Sequence, residues 1–105
     1  MKPGVSHRKY LLEDLKNPGE AAGYLNAVLE AGHREVFLSA LRDVVAAQGG
    51  ISKLARRTKL HRQTLHRMLS KTGNPEIASL ERVLEAMGLR FLIGIDRPSK
   101  LPRAA

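Results

Sequence analysis

The chain has 105 residues, 43% apolar and 4% aromatic, and carries 18 Lys and Arg against 10 Asp and Glu, for a net charge of +8. This length makes a single domain with a modest core of Leu, Val, Ile, Ala and Met. Cysteine is absent, which excludes a disulfide framework or a thiolate metal site. The start Met1-Lys2-Pro3-Gly4 lacks the apolar stretch of a signal peptide, and the longest apolar run, over residues 91–95, is far too short to span a bilayer, so the expectation is a soluble cytoplasmic protein with no membrane contact.

Residues 1–9 (MKPGVSHRK) have no periodicity and read as a mobile arm, followed by a short apolar turn or helix over residues 10–15; residues 1–16 together form the expected N-terminal arm. Asn17 is a good N-cap and Pro18 fits the first helical position, where its missing N–H costs nothing. Ala21, Ala22, Leu25, Val28 and Leu29 then recur at helical spacing, and Gly32 supplies the stop. The next helix is expected over residues 33–48, with Val36, Phe37, Ala40, Leu41, Val44 and Val45 as its buried face, ending at Gly49-Gly50.

Two short helical patterns follow, residues 51–58 and 62–69, separated by Lys59-Leu60-His61. This spacing fits a helix-turn-helix. After the turn signal Thr72-Gly73-Asn74-Pro75 a last helix is predicted over residues 78–87, with Leu80, Val83, Leu84 and Met87 inward and Gly88 as its cap. Residues 89–95 (LRFLIGI) are β-branched and aromatic enough for one strand, whose partner must be the same strand of a second copy or a sheet edge on another protein. The fold class expected is therefore all-α in the main: a bundle of about five helices with one short C-terminal strand, a helix-turn-helix domain over residues 17–95, and a flexible tail over residues 96–105.

The charge is local. Between Asp43 and Glu76 there is no acidic residue, while Lys53, Arg56, Arg57, Lys59, Arg62, Arg67 and Lys71 all lie there, so this window supplies nearly the whole positive balance. A solvated face ordinarily mixes signs to avoid self-repulsion. A one-signed face suits a polyphosphate, because each neutralised phosphate releases condensed counterions. Within the window, Ala55 is the small residue at which the two helices cross, Ile51 and Leu54 bury beside it, Leu60 plugs the turn, and Leu65, Met68 and Leu69 anchor the second helix. That leaves Arg62, Gln63, His66 and Arg67 outward with Thr64 at the flank, as candidate base-reading residues: Arg can donate two bonds to guanine O6 and N7, and Gln can pair with adenine N6 and N7. Lys53, Arg56, Arg57 and Lys59 before them, and Ser70, Lys71 and Asn74 after them, are candidate phosphate contacts. Lys59 stands where such turns often carry glycine for a positive φ; either it bears that conformation, or the turn has another geometry.

At this point the chain resembles the addiction-module antidote proteins, antitoxins with a lambda-repressor-like helix-turn-helix of the XRE type. The resemblance covers about residues 20–90 and is carried most specifically by YLNAVLEAG, by ALRDVVAAQGGISKLAR, and by LHRQTLHRMLS with GNPEIASLERVLEAMGLR. It implies a lambda-repressor-like bundle with its recognition helix over residues 62–69, a neighbouring toxin of the RelE/ParE superfamily that the protein binds and neutralises, and repression of its own operon. Such sequences commonly show Gly-Leu-Ser in the turn, where this one has Lys59-Leu60-His61. Repression requires a homodimer on an inverted-repeat operator in double-stranded DNA. The toxin surface lies elsewhere, with the helix after Pro18, the C-terminal strand and the termini as candidates.

Enzymatic activity is not expected. His7, His33, His61 and His66 have no clustered acid or thiolate, the basic window holds no carboxylates for a metal, and no glycine-rich phosphate loop is present. No catalytic residue, metal or cofactor is predicted. The alternatives are a toxin-holding module with little operator specificity and a phage-type repressor without a toxin. An RNA binder is disfavoured by the near absence of aromatic stacking residues in the basic region.

Overall fold

The computed structural model describes residues 7–96. Among them the chain forms six helices: α1 (His7–Asp14), α2 (Pro18–Ala31), α3 (Arg34–Ala47), α4 (Gly50–Thr58), α5 (Arg62–Met68) and α6 (Ile77–Ala86). The all-α architecture agrees with the sequence expectation, but the strand over residues 89–95 does not form among the described residues. A strand exists only through its ladder, and one copy of this chain offers that segment nothing to pair with. The arm expected over residues 1–6 and the tail over residues 97–105 lie outside the described residues. Residues 7–9, read as part of the arm, instead open α1.

Local signals account for several helix ends. The Asn17 side chain accepts from the N–H groups of Gly19 (2.8 Å) and Glu20 (3.2 Å), with Pro18 in the first turn. Gly32 closes α2 at φ 84°, a left-handed conformation that side chains resist. After α6 the Leu89 N–H reaches the Leu84 carbonyl (2.8 Å) and the Gly88 N–H that of Glu85 (3.0 Å), a Schellman pair with Gly88 at φ 78°.

α3 is the central element. It packs against α1, α2 and α4, and buries Phe37, Leu38, Ala40, Leu41, Val44 and Val45. Val36, expected in that face, is 49% exposed: the inward stripe is carried by Leu38 instead. α4 packs in turn against α3, α5 and α6. Leu15, Leu25, Leu54, Leu65, Leu69, Val83, Leu84 and Met87 complete the core.

α1 has no fully buried residue; its half-buried Leu11 packs against the core, and polar contacts help to locate the helix. Arg8 pairs with Asp43 of α3 (2.6 Å), whose other oxygen accepts from the Tyr24 hydroxyl of α2 (2.9 Å). Gln48, just past α3, donates to the carbonyls of Leu15 and Lys16 behind α1. Burial, then the hydrogen bond to Asp43, raises the Tyr24 pKa above its ordinary value. A raised folded-state value means that Tyr24 stabilises fully below pH about 10 and progressively less above it. Asp43→Ala should cost about 1–3 kcal/mol in urea unfolding, and absorbance titration should then show the Tyr24 midpoint moving back toward the ordinary value. An unchanged midpoint would remove Asp43 from this role.

Candidate nucleic-acid interface

The α4–α5 connection is built on three residues. Lys59 sits at φ 63°, the one non-glycine residue with positive φ among those described, and its N–H closes on the Ala55 carbonyl (2.9 Å). The turn thus has the geometry that favours glycine, with lysine bearing the strain. Thr58, buried, donates its hydroxyl to the Leu54 carbonyl (2.8 Å) and accepts from the Leu60 N–H (3.2 Å), so it pairs an N–H that the turn would otherwise strand. Leu60 lies half-buried against the core, as the sequence suggested. On the far side of α5 the chain folds back under Gly73, which is buried and so close to the Met68 carbonyl that a Cβ there would collide with it.

Three arginines close helix C-termini across the structure. Arg42 of α3 donates to the Leu69 carbonyl at the end of α5. Arg82 of α6 donates to the Thr58 carbonyl at the end of α4 (2.6 Å), and Arg57 of α4 donates to the Ala86 carbonyl at the end of α6 (3.1 Å). The last carbonyls of a helix carry partial negative charge and have no intrahelical donor, so a guanidinium there supplies both hydrogen bond and charge. α4 and α6 do this for each other reciprocally. Arg42 and Arg82 lie outside the acid-free window, and no local pattern marks them, since their partners are 27 and 24 residues away.

Against this frame Leu65 and Met68 are buried, and Arg62, Gln63, His66 and Arg67 stand exposed, with Thr64 half-buried. The C-terminal part of this edge borders two depressions. Thr64 and Arg67 line a groove of about 290 Å³ that also includes Ser70, Asn74, Pro75 and Glu76, whereas His66 faces an apolar hollow of about 200 Å³ shared with Arg42, Ile51 and Leu69. Glu76, the acid that ends the basic window, therefore stands on the same groove as Arg67.

The residues singled out as phosphate contacts differ in their freedom. Arg56, Lys59, Lys71 and Asn74 are exposed. Lys53 is half-buried, its stem lying over Gly49, and Arg57 has committed one donor to α6. The Ser70 hydroxyl donates to the Arg67 carbonyl (2.8 Å); a phosphate, itself only an acceptor, would have to compete for that proton. Among the described residues no group of three or more His, Asp or Glu side chains is placed to hold a metal ion, and no helix is long and apolar enough to cross a membrane.

Residues 8–95 match the family model described as "probable addiction module antidote protein". An uncharacterized protein of Haemophilus influenzae (strain Rd) is 37% identical over 85 residues, which cover 81% of this chain and 87% of that relative. No solved structure gives a significant match. The chain belongs to the addiction module antidote family, whose name describes an antitoxin and implies a toxin partner; membership supports a regulatory rather than a catalytic role.

The turn is open to direct measurement. Lys59→Gly should raise stability by about 0.5–1 kcal/mol by relieving the left-handed strain, while Lys59→Ala leaves it nearly unchanged. Thr58→Val, which keeps the shape but strands the Leu60 N–H, should cost about 1–3 kcal/mol, and Thr58→Ser much less. Equal midpoints for the glycine and alanine variants in thermal unfolding would contradict the strained turn.

Proposed function

We propose that this antidote is a DNA-binding antitoxin of a type II toxin-antitoxin system, that α4 and α5 form a lambda-repressor-like helix-turn-helix of the XRE type, and that it represses its own operon as a homodimer on an inverted repeat. The observation that carries the reading is the exposed edge Arg62, Gln63, His66 and Arg67 on a helix anchored from behind by buried Leu65 and Met68, within a window that has no acidic residue. α5 enters the major groove, where Arg62 and Gln63 stand at its N-terminal end, the part of a recognition helix that meets base edges. Lys71 and Asn74 follow it and Arg56 and Lys59 precede it, so phosphates on either side of the groove are met by exposed donors. The cognate toxin, of the RelE/ParE type, is held on a surface outside this cationic face, so that one chain can engage both partners.

Footprinting on the chain's own promoter tests this directly: a protected inverted repeat is expected, and a uniform affinity for all duplexes would favour a toxin-holding module instead. Arg62→Ala and Gln63→Ala should each relax base preference at one operator position by about 1–3 kcal/mol. Lys71→Ala should weaken every duplex alike. A dimer covering roughly 6–10 phosphates should lose about 10³–10⁵ in affinity between 50 and 200 mM salt. If the Arg62 and Lys71 variants behave identically across operator variants, α5 does not read bases.

A further inference from the structure

Immediately after the Schellman turn that closes α6, the chain leaves the body of the protein with an apolar segment uncovered. Phe91 is 42% exposed, Leu92 78%, Ile93 96% and Ile95 81%, and these four sit within five residues. The departure point is fixed, because Leu89 packs against the core and its N–H is held by the Leu84 carbonyl. Water is a poor environment for such a run, and an unpaired β-forming edge is a template for another chain.

We propose that residues 90–96 pair with the same residues of a second copy, antiparallel, about a two-fold axis through Ile93. The sequence Arg90-Phe91-Leu92-Ile93-Gly94-Ile95-Asp96 selects both the partner and the register. In a strand, alternate residues share a face. Phe91, Ile93 and Ile95 therefore form an apolar face, and Arg90, Leu92, Gly94 and Asp96 the other. With the axis at Ile93, Arg90 stands opposite Asp96 of the second copy, Phe91 opposite its Ile95, Leu92 opposite its Gly94, and Ile93 opposite itself. Both ends of the ladder then carry an opposite-charge pair, and every pair on the apolar face is apolar, the combinations that stabilise adjacent strands.

Other registers do worse. A shift that places Arg90 opposite Ile93 or Ile95 sets a charge against the apolar face, and an axis at Leu92 places Arg90 opposite Gly94, which offers no counter-charge. The arrangement also continues into the fold. Phe91, with its neighbours Arg90 and Leu92, borders a cavity of about 390 Å³ between α2 and the end of α6, whose other walls include Pro18, Leu25 and Phe37. Ile95 of the second copy, opposite Phe91 and on the same face, lies beside that apolar opening.

The inference names the interface of the homodimer in the repressor reading and rests on that reading only for the dimer's role on DNA; the pairing itself requires none. It is therefore tested without DNA. The chain has no cysteine, so Ile93→Cys introduces one thiol on the axis. Directly opposed residues have Cα atoms about 4.5–5.5 Å apart, within the disulfide range of about 4.4–6.8 Å.

Under mild oxidation Ile93→Cys should convert to a covalent dimer, while Leu29→Cys and Val36→Cys, exposed on other parts of the surface, should not. In sedimentation equilibrium, Arg90→Glu or Asp96→Arg alone should weaken the dimer by about tenfold or more, and the double exchange R90E/D96R should restore it, with helical circular dichroism unchanged throughout. A wild-type monomer at 100 µM, or a dimer indifferent to Arg90→Glu together with absent cross-linking at Ile93, overturns the proposal. A dimer that behaves as stated but leaves the promoter unprotected removes the repressor reading alone, and a protected promoter with a dimer insensitive to these changes removes the strand alone.

Discussion

A helix of seven residues has negligible stability of its own in water, because the nucleating turn costs more than so few hydrogen bonds return. α5 is such a helix, and the DNA recognition proposed for this protein depends on its being held. Leu65, with no exposed surface, and Met68 and Leu69, nearly as deeply buried, fix its inner side. The Lys59 turn fixes its approach, Arg42 its end, and Gly73 admits the returning chain beneath it. The four outward side chains owe their common presentation to contacts made by other residues, several of them distant in sequence.

Electrostatics in this region has two layers. Arg57, Arg82 and Arg42 face inward functionally: each neutralises a helix C-terminus, and the reciprocal pair lets the two partially negative ends of α4 and α6 lie close together. Arg56, Lys59, Arg62, Arg67 and Lys71 remain exposed. Counting charges along the chain merges these layers, so the acid-free window overstates the cations free to meet a polyphosphate while omitting two that hold the unit together. The flanking acids also differ. Asp43 is occupied by Arg8 and Tyr24, whereas Glu76 borders the groove beside Arg67 and opposes anions there.

What could be read from the sequence was local in origin. Asn17-Pro18, Gly32 and Gly88 announce helix ends through interactions spanning a few residues, and the helical spacing of Leu41, Val44, Val45 and Leu65 reports burial directly. The outward placement of Arg62, Gln63, His66 and Arg67 follows from the same periodicity. Long-range docking was not legible. Nothing around Arg42 or Arg82 indicates a carbonyl more than twenty residues away, and nothing around Gly73 reports the Met68 backbone above it. Val36 reads as core because its neighbours are core, yet the stripe turns onto Leu38. The segment after α6 has the composition of a strand, but a ladder is a property of two chains, and the signal cannot be fulfilled within one.

That last point ties assembly to recognition. The segment leaves α6 at a fixed place, and α6 is bound to α4 by paired arginines, so a two-fold pairing there would carry the orientation of one α5 edge to the other through rigid contacts. Moving the axis from Ile93 to Leu92 slides one strand by two residues relative to its mate, about 6.6–7 Å at the rise of a strand. Half-sites on B-DNA repeat about every 34–36 Å, and an offset of that size spans roughly two base pairs at a rise of about 3.4 Å. In the proposed dimer the pairing of Arg90 with Asp96 would thus do more than hold two chains together. By rejecting the neighbouring registers it would fix the distance between the two α5 helices, and with it the spacing of the inverted repeat proposed as the operator.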